Sequence, residues 1–227
     1  TVMSLAQFVQ QGFNRYGAIG GLQRVARVTQ HRFRNIPRIR EVHIWYALAL
    51  TEQRPRLALP EGFECRRAGT TELPLLQPLE TVGFFEAQAR LAIGAELWLI
   101  CHAGRAACAF WIFHRGTPVR AARGGWLELP ADTVCLEDSI TAAEYRGRGL
   151  ICAGWRQMAE TQTHAGIRTV LTKVAEDNLP SRRAVEKAGF QPIARMTFER
   201  VWLVPHVRLV PLDGGLMPGF MFQEFNR

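Results

Sequence analysis

The sequence predicts an α/β fold, specifically an α+β mixed sheet with helices on both faces, preceded by a helical and strand extension. Two observations predict it. Segments with strand periodicity and segments with helix periodicity alternate from residue 63 to residue 211. In addition, a loop rich in glycine and arginine at residues 145–151 connects a predicted strand directly to a predicted helix. With 227 residues, 48% of them hydrophobic, the chain suits one domain with additions.

Three regions are predicted along the chain. Residues 1–62 form an N-terminal helical arm, a strand and a linker, residues 63–212 form the main domain, and residues 213–227 form a C-terminal tail. The linker is assigned from Pro55 and Pro60, which follow the first strand pattern. The chain contains no run of 18 apolar residues, so no membrane span is predicted.

The N-terminal region is predicted to contain two helices and one strand. Apolar residues at helical spacing predict a helix over 4–16 with Ser4 as its N-cap, and a second helix over 22–33 that ends before Pro37. Alternating apolar residues predict a strand over 41–50. We expect the helices to pack on the main domain, with a helix resting on a membrane surface as the alternative.

The elements of the main domain follow from the same periodicities and from turn residues such as Ala103-Gly104-Arg105. In chain order they are a strand over 63–67, a short helix over 72–79 capped by Thr71, a helix over 84–93, a hairpin of 96–102 and 106–113, an irregular loop over 115–131, a strand over 134–142, a helix over 150–164, a strand over 169–175, a helix over 180–188, and strands over 193–204 and 207–211.

Charge and cysteine content narrow the function classes. Residues 1–50 carry seven arginines against the single acid Glu41, a +6 excess that would suit an anionic membrane or an acidic partner. No aromatic residues are interleaved with these arginines in a nucleic-acid recognition pattern, so no nucleic-acid partner is expected. The five cysteines lack ligand spacing, which predicts reduced core thiols, a cytoplasmic location and no metal site.

The loop at residues 145–151 has the character of an anion site. Gly147 and Gly149 allow close backbone approach, and Arg146 and Arg148 add positive charge. Because the loop opens directly into a helix, it aims unpaired N–H groups and the positive end of the helix dipole at one point. A pyrophosphate is the expected ligand. The glycine spacing matches neither a P-loop, which ends in Gly-Lys-Ser/Thr, nor a dinucleotide-binding fingerprint.

A second block at residues 178–190 gives the loop a family context. Its shared features are an asparagine, a serine three residues later and a terminal Glu-Lys-x-Gly-Phe, here Asn178, Ser181, Glu186, Lys187, Gly189 and Phe190. Together the two blocks resemble the GNAT superfamily of acyl-CoA dependent N-acyltransferases. The resemblance covers roughly residues 63–211 and is strongest from Glu137 to Phe190. Arg146 and Gly149 match the family loop, but its last position, glycine or alanine in the family, is Ile151.

The resemblance implies that acetyl-CoA or another acyl-CoA is the co-substrate. It also implies that the strand before the loop separates from its neighbour and binds the pantetheine arm through its backbone. For Ser181, capping of the helix is an equally good interpretation. The residues implied for coenzyme A are Ser139, Ile140, Thr141, Arg146, Gly147, Arg148, Gly149, Leu150, Ile151, Asn178 and Ser181.

The candidate catalytic residues are Glu137 and Asp138, which lie beside the expected reaction centre. Regular strand alternation would place Glu137 on the face of Ser139 and Thr141, and Asp138 on the other face. We therefore predict Glu137 as the proton acceptor, directly or through water. The alternative is that both acids pair with arginines. The tyrosine that many relatives place near the sulfur is replaced by Val185, so no general acid is predicted.

The function predicted from these residues is transfer of an acyl group, with acetyl favoured, from acyl-CoA to a primary amine of a small or envelope-associated acceptor. One alternative is a long-chain N-acyltransferase that takes its acyl group from acyl carrier protein. Another is a catalytically silent domain that binds coenzyme A or a partner protein. Peripheral contact of the basic arm with the inner membrane face and formation of a homodimer are further expectations.

Overall fold

The computed structural model describes residues 38–50, 57–79, 81–201, 204–212 and 218–225. The helices predicted over 4–16 and 22–33 lie outside these residues. The chain divides into two units, residues 1–40 with 198–206 and residues 41–197 with 207–227. The site described below belongs to the second unit.

The secondary structure follows the predicted order closely. Among the described residues the strands are β1 (Arg38–Ala49), β2 (Phe63–Ala68), β3 (Glu96–His102), β4 (Arg105–His114), β5 (Gly116–Pro118), β6 (Trp126–Glu128), β7 (Thr133–Thr141), β8 (Thr169–Ala175), β9 (Gln191–Val201) and β10 (Val204–Pro211). The α-helices are α1 (Phe84–Ala92), α2 (Leu150–His164), α3 (Leu179–Lys187) and α4 (Gly219–Phe225), and a 3₁₀ segment spans Thr70–Leu79.

Eight strands form one mixed sheet in the order β10-β9-β1-β8-β7-β4-β3-β2. β7 and β8 are parallel, whereas β1 pairs antiparallel with β8 and β4 pairs antiparallel with β7. The mixed sheet predicted from the sequence is therefore confirmed. The parallel strands β7 and β8 are joined through α2, as a crossover connection requires.

Each face of the sheet packs against its own set of helices. On the first face, the 3₁₀ segment, α1 and α4 cover buried strand residues that include Trp45, Leu99 and Trp111. On the second face, α2 and α3 cover residues that include Tyr46 and Phe110. Adjacent strand residues such as Trp45 and Tyr46 serve opposite faces, because side chains alternate along a strand. The site lies at β7 and β8, which the helices of both faces cover.

The short helix predicted over 72–79 is a 3₁₀ segment instead, and Thr71 is not its cap. Pro74 and Pro78 lie inside the segment, and each lacks the N–H that a regular α-helix would use. At its start, the Glu72 carboxylate accepts a hydrogen bond of 2.7 Å from the Gly69 N–H.

The loop predicted to be irregular over 115–131 contains a short hairpin, β5 and β6. Any side chain at Gly116 would overlap the Trp126 indole, so this glycine lets the ring lie against the hairpin backbone. The Trp126 ring also packs edge-on against Phe113 at 6.1 Å. Local strand propensity does not predict this hairpin, because the contact of the Trp126 ring with Phe113 of β4 stabilises it.

The predicted tail over 213–227 contributes to the first-face core. Met221 and Phe225 of α4 are buried, and the Phe225 ring lies 6.4 Å from the Trp45 ring. β1, from the predicted N-terminal region, likewise lies inside the sheet. Both outlying segments therefore supply core residues, while the three-region division itself stays a prediction.

The five cysteines are free and buried, as core thiols were predicted to be. Burial raises the pKa of Cys65 to about 12 and that of Cys108 to about 11. Among the described residues, no helix is long and apolar enough to cross a membrane. Within the same ranges, no group of three or more acidic, histidine or cysteine side chains is arranged to hold a metal ion.

Candidate active site

A cleft opens where β7 and β8 separate. The two strands pair in parallel from Thr133 with Thr169 to Leu136 with Thr172. At the end of this ladder, the Thr172 hydroxyl donates a hydrogen bond of 2.8 Å to the Leu136 carbonyl. Beyond that point the strands enclose a cleft of about 380 Å³.

A β-bulge in β7 marks the point of separation. Glu137 pairs with Trp111 of β4 and Ile140 pairs with Ala109, so two residues of β7 lie opposite one residue of β4. Asp138, in the bulge, has φ = 47°, in the left-handed region that aspartate adopts more readily than most residues. A bulge bends its strand and increases its twist, which accounts for the departure of β7 from β8.

The bulge overturns the predicted alternation of side chains along β7. Glu137 and Asp138 do not lie on opposite faces, because each contacts groups on the first face, Lys173 and Arg90 respectively. Thr141 faces the other way, and its hydroxyl lies 3.3 Å from the Cys108 sulfur of the second-face core. The extra residue shifts the alternation, which the sequence pattern could not show.

The Glu137 carboxylate is almost enclosed and is bound by several donors. It forms an ion pair with Lys173, and the two side chains are 9% and 14% exposed. The Thr117 hydroxyl and the Cys135 thiol donate to the same oxygen, at 3.2 and 3.3 Å. Burial opposes the charge on Lys173, but the Glu137 carboxylate outweighs it, so the pKa of Lys173 is raised. The predicted alternative of an arginine partner is wrong for Glu137, which pairs with a lysine.

Asp138 does pair with an arginine. Its carboxylate oxygen lies 2.6 Å from Nη1 of Arg90, a buried residue of α1. Both candidate acids thus have cationic partners, and neither is a free carboxylate. Any proton transfer to them takes place within an existing ion pair.

The glycine-rich loop has the geometry of an anion site. Gly147 and Gly149 have φ values of 76° and 74°, and both have open space where a side chain would point. Gly149 is the N-cap of α2, and no side chain caps this helix. The first N–H groups of α2 therefore have no partner within the helix and point to the surface beside the loop.

The two loop arginines are positioned by the loop itself. Arg146 Nε donates a hydrogen bond of 3.1 Å to the Thr141 carbonyl at the end of β7. The Arg148 guanidinium lies over the Tyr145 ring, 5.4 Å from its centroid. Both side chains are exposed, so their charge faces solvent next to the uncapped start of α2.

Asn178, not Ser181, supplies the cap of α3. The Asn178 side-chain oxygen accepts a hydrogen bond of 3.2 Å from the Ser181 N–H. The interpretation of Ser181 as the capping side chain is therefore wrong, and its hydroxyl is left to line the cleft together with Asn178. Arg182, also in the first turn of α3, donates hydrogen bonds of 3.0 and 3.1 Å to the Tyr46 hydroxyl and the Glu176 carbonyl.

The structure brings some of the predicted site residues together and leaves others apart. The cleft is lined by Glu137, Asp138, Ser139, Asn178 and Ser181. Ile140 and Thr141 lie farther along β7, and the loop residues 146–151 follow beyond them, outside the cleft lining. The predicted set thus forms two neighbouring parts, a cleft and an anion loop. Val185, the position of the missing acid, lines the cleft as an apolar side chain.

Sequence reasoning missed His43 as a cleft residue. It lines the cleft from β1, and its Nδ1 is buried without a hydrogen-bond partner among the described residues. Burial lowers the pKa of His43, and the Lys173 ammonium lowers it further. His43 pairs with Ala175 of β8. The alternation of side chains along β1 places His43 on the same face as Trp45. That β1 lies next to β8 is known only from the order of the strands in the sheet.

Comparisons with known proteins fit this geometry. The model of the family described as "Acetyltransferase (GNAT) family" matches residues 74–190, which span from the 3₁₀ segment to the end of the second sequence block. No curated protein matches the chain.

Solved structures of GNAT proteins share the fold. A putative GNAT acetyltransferase from Novosphingobium aromaticivorans superposes with a TM-score of 0.51 at 19% identity, covering 70% of this chain and 63% of its own. A GCN5-related N-acetyltransferase from Sphaerobacter thermophilus gives 0.53 at 15% identity, covering 89% and 60%. A tandem GNAT protein from the clavulanic acid biosynthesis pathway gives 0.51 at 19% identity, covering 70% and 53%.

The chain therefore spans between about half and two thirds of the length of these structures. At such identities the likeness concerns the fold alone. The family model covers more than half of the chain and includes the split strands, the anion loop and the α3 cap. This protein is a member of the GNAT acetyltransferase family.

Proposed function

We propose that this protein is an N-acyltransferase that moves an acyl group, acetyl in the first instance, from acyl-CoA to the primary amine of a small acceptor. The observation that carries the proposal is the separation of β7 from β8 next to the uncapped N-terminus of α2. These two features suit the two chemical halves of coenzyme A.

The split suits the pantetheine arm. Past Leu136, the backbone of β7 no longer pairs with β8, yet backbone N–H and C=O groups need partners when water is displaced. An extended chain that carries amide groups can supply them, as an added strand would. Ser139, which is exposed at this edge, is the predicted pairing position that the cleft includes.

The start of α2 suits the pyrophosphate. Its free N–H groups and the helix dipole favour an anion, and Arg146 and Arg148 add charge at the same place. Ile151 is half-buried and packs with the second-face core, so its side chain is partly withdrawn from the loop surface. The substitution at this family position is therefore compatible with anion binding by the backbone.

The reaction needs an amine without its proton. The ammonium gives up a proton, the neutral nitrogen attacks the thioester carbonyl carbon, and the C–S bond breaks to release the coenzyme A thiolate. Glu137 as the proton acceptor remains part of the proposal, and its carboxylate faces the cleft. Lys173 already binds one oxygen of this carboxylate, so the incoming ammonium has to compete with Lys173 for it. As the C–S bond breaks, the nitrogen also loses its second proton to become an amide nitrogen. Because Val185 has no proton to give, this second proton reaches the thiolate through water.

The acceptor end of the cleft lies on the first face. Pro118, Lys173 and His43 line it there, next to the β5–β6 hairpin. A carrier protein as acyl donor and contact with a membrane surface stay predictions, since both depend on the basic arm, which the structure describes only from residue 38. The homodimer and the cytoplasmic location also stay predictions.

A transfer assay tests the proposal. The full chain is incubated with acetyl-CoA and a panel of primary amines, and release of free thiol and acetylation of the amine are followed together. The proposal expects release that depends on the amine, with one product per thiol. Graded acyl-CoA chain lengths then establish whether acetyl is preferred. Binding of acetyl-CoA without turnover of any amine would favour the catalytically silent domain instead.

A further inference from the structure

Arg90 of α1 is a charged residue in a buried position. It is only 9% exposed, although it carries a full positive charge. Its guanidinium lies over two aromatic rings of β4, 5.3 Å from the centroid of Trp111 and 5.4 Å from that of Phe113. Burying a cation in this way is costly unless opposite charges compensate for it.

Two carboxylates supply that compensation. Arg90 Nη2 donates a hydrogen bond of 2.6 Å to Glu86, one turn earlier on α1. Nη1 lies 2.6 Å from Asp138, although the approach is a charge contact and not an aligned hydrogen bond. The Glu86 contact joins neighbours on one helix, whereas the Asp138 contact joins α1 to the bulge of β7.

The bulge is the feature that this contact holds. Asp138 has φ = 47°, a strained conformation that persists only when its surroundings fix it. Without the bulge, β7 would keep a regular register and could continue its parallel pairing with β8 beyond Leu136. That pairing would use the backbone groups that the proposed function reserves for pantetheine.

We propose that Arg90 is a positioning residue that fixes the β7 bulge through Asp138 and thereby keeps the β7–β8 split open for the pantetheine arm. The inference rests on the proposed function, since it assigns the split to acyl-CoA. It concerns only one end of the ligand. The anion loop at 146–149 lies beyond the far end of β7 and is not in contact with Arg90 among the contacts of the described residues.

The test compares two ligands that share the nucleotide end. Acetyl-CoA needs both the split and the loop, whereas adenosine 3′,5′-bisphosphate lacks the pantetheine arm. In Arg90→Met the apolar stem can still pack on the two rings, but the charge on Asp138 is no longer matched. Calorimetric titration of the full chain should show acetyl-CoA affinity reduced about tenfold or more, with bisphosphate affinity unchanged.

Two further variants control the interpretation. Glu86→Gln weakens the other contact of the same guanidinium and should leave the affinity for both ligands unchanged. Asp138→Asn removes the charge but keeps a residue that tolerates positive φ, and should reproduce the effect of Arg90→Met. If Arg90→Met does not fold, Asp138→Asn carries the same prediction. In the double variant the two losses should not add, because both remove one interaction.

The inference fails if Arg90→Met or Asp138→Asn binds acetyl-CoA like the wild type. It also fails if both ligands lose affinity equally, since that would indicate a general structural role. Failure of the wild-type protein to bind acetyl-CoA is a different outcome, which would overturn the proposed function first.

Discussion

At the start of α2 the protein offers backbone N–H groups that no side chain covers, whereas at the β7 bulge both acids already have a cationic partner. The anion loop is open, exposed and built from the backbone. The ion pairs at the bulge are built from side chains that come from α1, β7 and β8, and the side chains of their cations Arg90 and Lys173 are only 11% and 14% exposed. One region is thus prepared for a charged ligand, and the other is already neutralised internally.

The difference between the uncapped anion loop and the paired acids of the β7 bulge gives the two regions different roles. We expect the anion loop to bind a pyrophosphate without rearrangement, because no side chain caps the first N–H groups of α2. The bulge cannot bind a further charge without disturbing an ion pair, so its contribution lies in shape and in the position of the backbone. Variants of the Glu137–Lys173 pair should therefore change turnover and stability, and variants of Arg90 or Asp138 should change binding of the pantetheine end of coenzyme A. Variants at the loop should change binding of the phosphate end.

The largest expected effect is on stability at Lys173. In Lys173→Met the Glu137 carboxylate stays buried without its partner, so we expect the free energy of unfolding to fall by about 3–5 kcal/mol. Urea denaturation measures it. The double variant Lys173→Met/Glu137→Gln should recover most of the loss, because no buried charge remains uncompensated. A single variant as stable as the wild type would show that the pair is well solvated.

The second largest effect that we expect is a loss of turnover in Glu137→Gln. If this residue accepts the proton, Glu137→Gln should lower kcat about 10²-fold and leave acetyl-CoA affinity nearly unchanged. Steady-state kinetics with an amine found in the panel, combined with calorimetry, separates the two quantities. Equal activity of variant and wild type from pH 6 to 9 would remove Glu137 from the mechanism.

The third effect that we expect is a loss of coenzyme A affinity when the anion loop is changed. In Gly149→Val the new side chain must adopt φ near 74° and would stand where the phosphate approaches, so affinity should fall about tenfold or more. Gly166 is a matched control, since it has φ = 83° and open space, but lies after the other end of α2. Gly166→Val should lose a similar amount of stability, of about 1–2 kcal/mol, and no affinity. Equal affinity losses in both variants would contradict a local role of the loop.

The smallest expected effect is the pH dependence at His43. Its pKa is lowered by burial first and by Lys173 and Arg120 next, while Glu41 and Glu137 raise it. The folded state therefore binds a proton less readily than the unfolded state, and stability falls as the pH drops below about 6.5. His43→Gln should lessen this loss between pH 7.5 and 5. Parallel stability profiles of the two proteins would assign the pH dependence to other groups.

The same contrast explains how much could be predicted from the sequence. The anion loop follows from a local pattern, glycines at 147 and 149 directly before a helix, and the sheet class follows from periodicity. The bulge does not, because a single extra residue in β7 leaves no mark in the sequence and reverses the alternation that placed Glu137 and Asp138. The partners Arg90 and Lys173 lie 48 and 36 residues away in sequence, so only the fold brings them in.

The capping residue of α3 is another feature that the sequence pattern does not determine. Asn178 and Ser181 are both good capping residues, and the pattern alone does not decide which side chain turns toward the helix N-terminus. His43 is a further example. It was not predicted as a site residue, because nothing in its strand pattern places it beside β8.

Calorimetric titration of the full chain with acetyl-CoA tests whether the β7–β8 split and the start of α2 together bind acyl-CoA. We expect saturable binding of one ligand per chain. We also expect a hundredfold excess of ligand over the dissociation constant to raise the free energy of unfolding by about 2.7 kcal/mol. If millimolar acetyl-CoA produced neither heat nor stabilisation, the split and the helix start would not form an acyl-CoA site.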